Sequence, residues 1–143
     1  KNYVDNESFS MINSCSNVRA VISIDANDEI RDMATNYNIP RDKNIRSSLG
    51  IKLGTSWDNF TNGSTLYPIS YTVTGMSRAD QIYYTYWTGS TTSGALSNHC
   101  SNFSTSSGAG ASIGSSLYND TSMVGSTTNT NCDQLFKLLC ICF

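Results

Sequence analysis

The chain has 143 residues, of which 38% are hydrophobic and only 14% charged, with nine Lys and Arg against eleven Asp and Glu. That length fits one domain spanning 1-143. A net charge of −2 without any dense cationic cluster excludes an electrostatic footprint for nucleic acid, anionic membrane or heparin, and no apolar run approaches the roughly 20 residues of a membrane span.

Uncharged Ser, Thr, Asn and Gly fill the remainder and favour loops, turns and solvated strands over long helices. The chain begins at Lys1 with neither Met nor a signal peptide, as expected of a processed form or an excised fragment. Five cysteines spread from Cys15 to Cys142 without a CxxC pair, which predicts disulfides in an oxidising compartment rather than zinc or redox chemistry. The expected location is extracellular or at the cell surface.

In chain order, a short helix is predicted around Glu7 to Cys15. VRAVISI (Val18 to Ile24) is apolar at nearly every position and reads as a buried strand. Asn27 then fits a helix N-cap, Asp28 and Glu29 suit the first turn, and Pro40 marks the stop; Ile30, Met33, Ala34 and Tyr37 form the apolar stripe. In SWDNFTNGS, Trp57 and Phe60 lie three apart, so one helical turn can present both rings to the core. QIYYTYWTGS alternates Ile82, Tyr84 and Tyr86 against Tyr83, Thr85 and Trp87 and reads as a strand with two covered faces. From Thr88 to Asn131 the composition predicts long cystine-pinned loops, because Cys100, Ile113, Leu117, Tyr118, Met123 and Val124 recur through the polar background. LFKLLCICF closes the chain as a strand.

The landmarks VRAVIS with a following acidic helix, SWDNFTNGS, YWTGSTTSGALSNHC, ASIGSSL and CDQLFKLLCICF run in this order from Val18 to Phe143. Taken together they resemble the endostatin-like branch of the C-type-lectin-like fold, found in collagens XV and XVIII and in leptospiral endostatin-like surface proteins. The resemblance implies an α+β, C-type-lectin-like/endostatin-like fold, with short helices around a small mixed β-sheet and long disulfide-pinned loops. The family nests one disulfide inside another, which implies Cys100–Cys132 as the inner bond and Cys15–Cys140 as the outer, with Cys142 left over. On this reading the terminal segment is a central strand, hydrophobic because both faces are covered. The family's first strand, which precedes the first helix, has only KNYVDNE to match it here. It has been cut off, or another chain or segment supplies it.

His99 is the single histidine and reads as structural, since no second His, HExxH or GxSxG accompanies it. No metal and no cofactor are expected: the N-terminal histidines that hold zinc in vertebrate endostatins have no counterpart. Trp57-Asp58-Asn59 is similar to the Trp-Asn-Asp triplet of calcium-dependent lectins but differs in order, and neither Glu-Pro-Asn nor Gln-Pro-Asp occurs. The triplets beginning at Asn59, Asn62 and Asn102 match the N-glycan acceptor pattern. The acidic run Asp25, Asp28, Glu29 and Asp32 reads as a solvated face.

The function these features predict is a non-enzymatic adhesion module that recognises a protein or glycan through Ser/Thr/Asn/Tyr-rich loops. Tyr71, Arg78, Tyr83, Asn98, Asn102, Tyr118 and Asn119 are the candidate contact residues. The resemblance implies host or matrix partners such as laminin, fibronectin, plasminogen or a complement regulator. The alternative is a structural subunit of a surface filament, completed by a neighbour's strand and self-associating through that edge or through Cys142.

Overall fold

The computed structural model describes residues 16–47, 50–72, 84–107, 110–125 and 129–143. The helix expected around Glu7 to Cys15 and positions Gln81 to Tyr83 lie outside them. The chain is mixed α+β, with small sheets and a few short helices.

The largest described sheet has four strands in the order β6 (Asn129–Thr130), β5 (Ala111–Ser115), β4 (Thr85–Trp87), β7 (Lys137–Leu138). β4 pairs antiparallel with β5 and parallel with β7, so it is central. Its Tyr84 and Tyr86 are buried and Thr85 and Trp87 half-buried, as the alternation predicts for a strand covered on both faces. β1 (Val18–Ala20) and β8 (Cys140–Cys142) form a separate antiparallel pair, and β2 (Ile45–Arg46) and β3 (Lys52–Gly54) another.

β5 lies in the span expected to be loop. Its residues, ASIGS, include a single large apolar side chain, Ile113, so hydrophobic patterning does not reveal it. It is a strand because its small side chains let neighbours close in. A Cβ on Gly114 would stand 2.3 Å from the Met123 carbonyl and 2.7 Å from the Tyr86 ring.

Trp57 and Phe60 behave as their spacing predicts. Ser56 caps the Trp57–Thr61 helix by accepting the Asn59 N–H at 3.0 Å, and the two rings lie 5.7 Å apart inside the core. The helix expected from Asn27 starts later. The Asp25 carboxylate accepts the N–H groups of Asn27 (2.7 Å) and Asp28 (3.1 Å) in a turn, and helical backbone begins only with the 3-10 turn Ile30–Asp32, followed by the Met33–Asn36 helix. The predicted stripe still faces inward: Ile30, Met33 and Ala34 are buried and Tyr37 packs against them.

Two expectations about the strand segments are corrected. VRAVISI is not a buried strand throughout. Only Val18–Ala20 is paired, with Val18 exposed; Val21 then donates to the Leu139 carbonyl (2.7 Å) and Ser23 to that of Thr88 (2.7 Å). The C-terminal stretch is not one central strand either. It breaks at Leu139 into β7 and β8, which belong to different sheets, and its two faces differ: Leu139, Ile141 and Phe143 pack on the core while Leu138, Cys140 and Cys142 face outward. Its hydrophobicity reflects that seam between sheets.

The cysteines follow the resemblance in part. Cys100–Cys132 is bonded, with Cα atoms 5.7 Å apart. The outer pair expected as Cys15–Cys140 is corrected, because Cys140 carries a free thiol and Cys142 is disulfide-bonded. Register supplies the reason. β1 pairs Val18 with Cys142 and Ala20 with Cys140, and Asn17 exchanges both backbone hydrogen bonds with Phe143, so the chain ahead of β1 leaves at the Cys142 end. Cys15 itself lies outside the described residues.

Candidate functional site

Two of the seven expected contact residues, Arg78 and Tyr83, lie outside the described residues. Tyr71 contributes backbone to the 3-10 turn Ile69–Thr72. The other four are exposed but divided. Ser112, near one end of β5, donates to the Asn98 carbonyl (2.8 Å), and Asn102 is close in sequence to Asn98. Tyr118 and Asn119 follow the other end, where Ser70 donates to Ser116 (2.9 Å) and Ser116 to Tyr84 (2.7 Å). A five-residue strand separates the two groups by about 13 Å. Those bonds gather Tyr71, Tyr118 and Asn119 at one end of the sheet and leave Asn98 and Asn102 at the other.

The Asn98/Asn102 end is built for stability. Cys100–Cys132 pins a small aromatic cluster there, in which Trp87 packs edge-on against Phe136 (5.0 Å) and Phe103 (5.9 Å). Between the disulfide and Phe103 the backbone makes one left-handed turn, with φ of 50°, 51°, 58° and 57° at Cys100, Ser101, Asn102 and Phe103. His99 Nδ1 accepts the Asn102 N–H at 2.8 Å. The imidazole is thus committed to the turn, in line with its structural reading.

A shallow, open cleft of about 410 Å³ is lined, among the described residues, by Thr61, Asn62, Thr92, Ser93 and Thr121. Three elements meet in it. Thr61 and Asn62 end the Trp57–Thr61 helix. Thr92 and Ser93 form the tip of a turn closed by Thr91 donating to Ala95 (2.8 Å) and Gly94 to Thr91 (3.0 Å). Thr121 opens the 3-10 turn Thr121–Met123, which Asp120 caps by accepting the Ser122 N–H (2.8 Å). The floor is tight because Gly63, at φ +74°, has no side chain; a Cβ there would stand 2.2 Å from the Thr121 nitrogen.

A buried polar network fixes the Thr92–Ser93 wall. Glu29, 4% exposed, accepts the Leu96 N–H at 2.7 Å and has Arg31 Nε 2.5 Å from its other oxygen. Ser23, fully buried, donates to the Gly94 carbonyl (3.3 Å) and receives the Ile30 N–H (3.0 Å). Glu29 was expected on a solvated face; it is inside because the 91–95 turn closes over it and its charge is paired.

Among the described residues, the cleft lining carries four hydroxyls, one amide and no titratable group. Near it, Asp58 is paired with Arg41 at 2.6 Å, and Asp120 is exposed. Leu66, Tyr67 and Tyr118 are each about half exposed. Such a surface can donate and accept hydrogen bonds and offer aromatic faces. The lining hydroxyls gave no signal in a sequence rich in Ser and Thr, and Tyr67 was passed over as one of eight tyrosines. Among the described residues no group of three or more His, Cys, Asp or Glu could hold a metal ion, and no helix is long and apolar enough to cross a membrane. Comparison with family models, curated proteins and solved structures finds no match to this chain.

Proposed function

We propose that the chain is an endostatin-like, C-type-lectin-like binding module that acts outside the cell or on its surface, without catalysis, through the exposed Tyr67 and Tyr118 and the polar cleft. The observation that carries this reading is the presence of a hydrogen-bonding cleft and of three half-exposed apolar side chains, Leu66, Tyr67 and Tyr118, on a disulfide-pinned scaffold. Tyr gives large contact area at low entropic cost. The test is binding to immobilised laminin, fibronectin, plasminogen and complement regulators. Tyr67→Ala combined with Tyr118→Ala weakens the responding partner at least about tenfold, and Asn98→Ala combined with Asn102→Ala does not. Equal effects of the two pairs refute the assignment of this surface.

A second reading, a filament subunit completed by a neighbour's strand, is favoured by the outward face of β1 and β8, where Val18 and Cys140 are exposed beside Leu138 of β7. Concentration-dependent assembly suppressed by Leu138→Lys supports it.

A further inference from the structure

We propose that the cleft between Asn62, Thr92 and Thr121 binds a neutral, hydroxyl-rich saccharide without a metal ion, a proposal that rests on the binding-module reading and names the ligand class of its polar half. The argument starts from the described lining residues, which hold four hydroxyls and a carboxamide and no charge. A hydroxyl carries one donor and two lone pairs, and the Ser93 hydroxyl shares one hydrogen bond with Thr91 Oγ1 at 2.9 Å. Asn62 Oδ1 accepts the Ser64 N–H (3.1 Å), and the Asn62 amide N–H groups make no hydrogen bond to a described residue. Thr61 donates inward to the Trp57 carbonyl (3.1 Å), so its lone pairs are what it can offer a ligand. The lining therefore mixes donors and acceptors over a small area, which matches a ligand whose own groups both donate and accept.

Charge narrows the class. Two of the contributing elements carry carboxylates, Asp58 on the same helix as Thr61 and Asp120 beside Thr121, while Arg31, packed against Gly94 of the third, is paired with Glu29. Arg41 partly neutralises Asp58, and no described basic residue lines the cleft. A sulfated or sialylated sugar would bring its anion toward carboxylates, and the neighbouring Arg31 and Arg41 are already paired with Glu29 and Asp58. A neutral sugar meets no such penalty. An apolar ligand is disfavoured as well, because it would cover hydroxyls without replacing the hydrogen bonds they make to water.

Openness sets the affinity. A shallow cleft buries little of a ligand, so dissociation constants of about 0.1–10 mM are expected for a single short oligosaccharide, and useful binding comes from repeated copies. The wall is preorganised, since Thr92 and Ser93 sit on the turn held by Glu29 and Ser23.

The experiment is a titration of the 15N-labelled chain with chitotetraose, lacto-N-tetraose and mannopentaose as neutral probes and with sialyllactose and a heparin hexasaccharide as charged ones, read by amide chemical shifts. At least one neutral probe is expected to shift the amides of Asn62, Thr92, Ser93 and Thr121 saturably, with the same dissociation constant in chelator and in 0.05 or 0.5 M salt. Thr92→Ala combined with Ser93→Ala, both exposed, should weaken it about tenfold while the remaining amide spectrum stays folded. The proposal is overturned if no neutral probe moves these amides at 20 mM, if the charged probes move them more, or if the double variant binds as the parent does. Failure of the binding-module reading looks different, because then the protein panel and the Tyr67/Tyr118 variants also give no response.

Discussion

The Glu29 carboxylate accepts the backbone N–H of Leu96 at 2.7 Å across 67 residues of sequence, joining the segment that ends β1's extension to the turn that walls the cleft. The contact is buried, and the second carboxylate oxygen lies against Arg31, so the charge is compensated on one side and hydrogen-bonded on the other. Glu29→Ala should cost about 2–4 kcal/mol, because it opens a cavity and leaves a buried N–H without a partner. Glu29→Gln keeps the acceptor and should cost less. Hydrogen exchange at Leu96 distinguishes a local role from a global one: in Glu29→Ala it should accelerate more than exchange at Tyr86.

Tyr86 donates its hydroxyl to the Met123 carbonyl at 2.7 Å under the central sheet, and burial pushes its phenol pKa well above the ordinary 10.0. A raised pKa means that the neutral form stabilises the fold. That contribution is complete below pH 10 and declines as the pH rises past 10, where the unfolded phenol ionises and the folded one does not. Denaturant midpoints should therefore fall steeply above pH 10. Tyr86→Phe should remove that part of the pH dependence while lowering stability at pH 7 by about 1–2 kcal/mol, since the Met123 carbonyl loses its donor.

The sequence made some elements plain and hid others for physical reasons. Trp57 and Phe60 were legible because large apolar residues three apart beside a Ser cap leave few alternatives to a helical turn. β4 was legible because Tyr84 and Tyr86 alternate with polar positions. β5 was not, since its pairing depends on Gly114 and buried serines whose signal is close packing rather than hydrophobicity. The late helix start at Ile30 was hidden by a competing Asp25 turn, in which a side chain takes the donors that a helix leaves free. Of the candidate site, exposed Tyr118 could be read, but the cleft could not, because its walls come from three segments distant in sequence, one held by the buried Glu29 and Ser23 network and two by the close approach of Gly63 to Thr121.

Ser101 sits at φ 51° in the left-handed turn after Cys100 and is exposed. A residue with a Cβ costs about 1–2 kcal/mol in that conformation, and glycine avoids the clash while adding entropy to the unfolded chain. Ser101→Gly should therefore stabilise the fold by up to about 1 kcal/mol, seen as a higher denaturant midpoint at unchanged slope. A loss of stability would show that the turn is not left-handed in solution.

The cysteines allow the sharpest test of register. Cys140 and Cys142 sit on the same outward face of β8, two residues apart, and are opposite Ala20 and Val18. The chain ahead of β1 leaves at the Cys142 end, Cys140 is free, and Cys100 is bonded to Cys132, so non-reducing peptide mapping should join Cys142 to Cys15. A Cys15–Cys140 bond would mean that β1 and β8 pair two residues out of the register found here. The free thiol adds an independent readout. Desolvation raises the Cys140 pKa above its ordinary 9.0, although the residue as a whole is exposed. Only the thiolate attacks iodoacetamide, and a raised pKa lowers its population at any pH below that value. One equivalent of alkylation is therefore expected in the native protein, slower than for a small-molecule thiol at pH 8, with the two rates converging as the pH is raised. Denaturation at pH 8 should abolish the difference, because unfolding returns the thiol to water while leaving Cys142 bonded. A native thiol that reacts as fast as the reference at pH 8 would show that β8 does not shield it, and with that the packing of the strand against β1 would be in error.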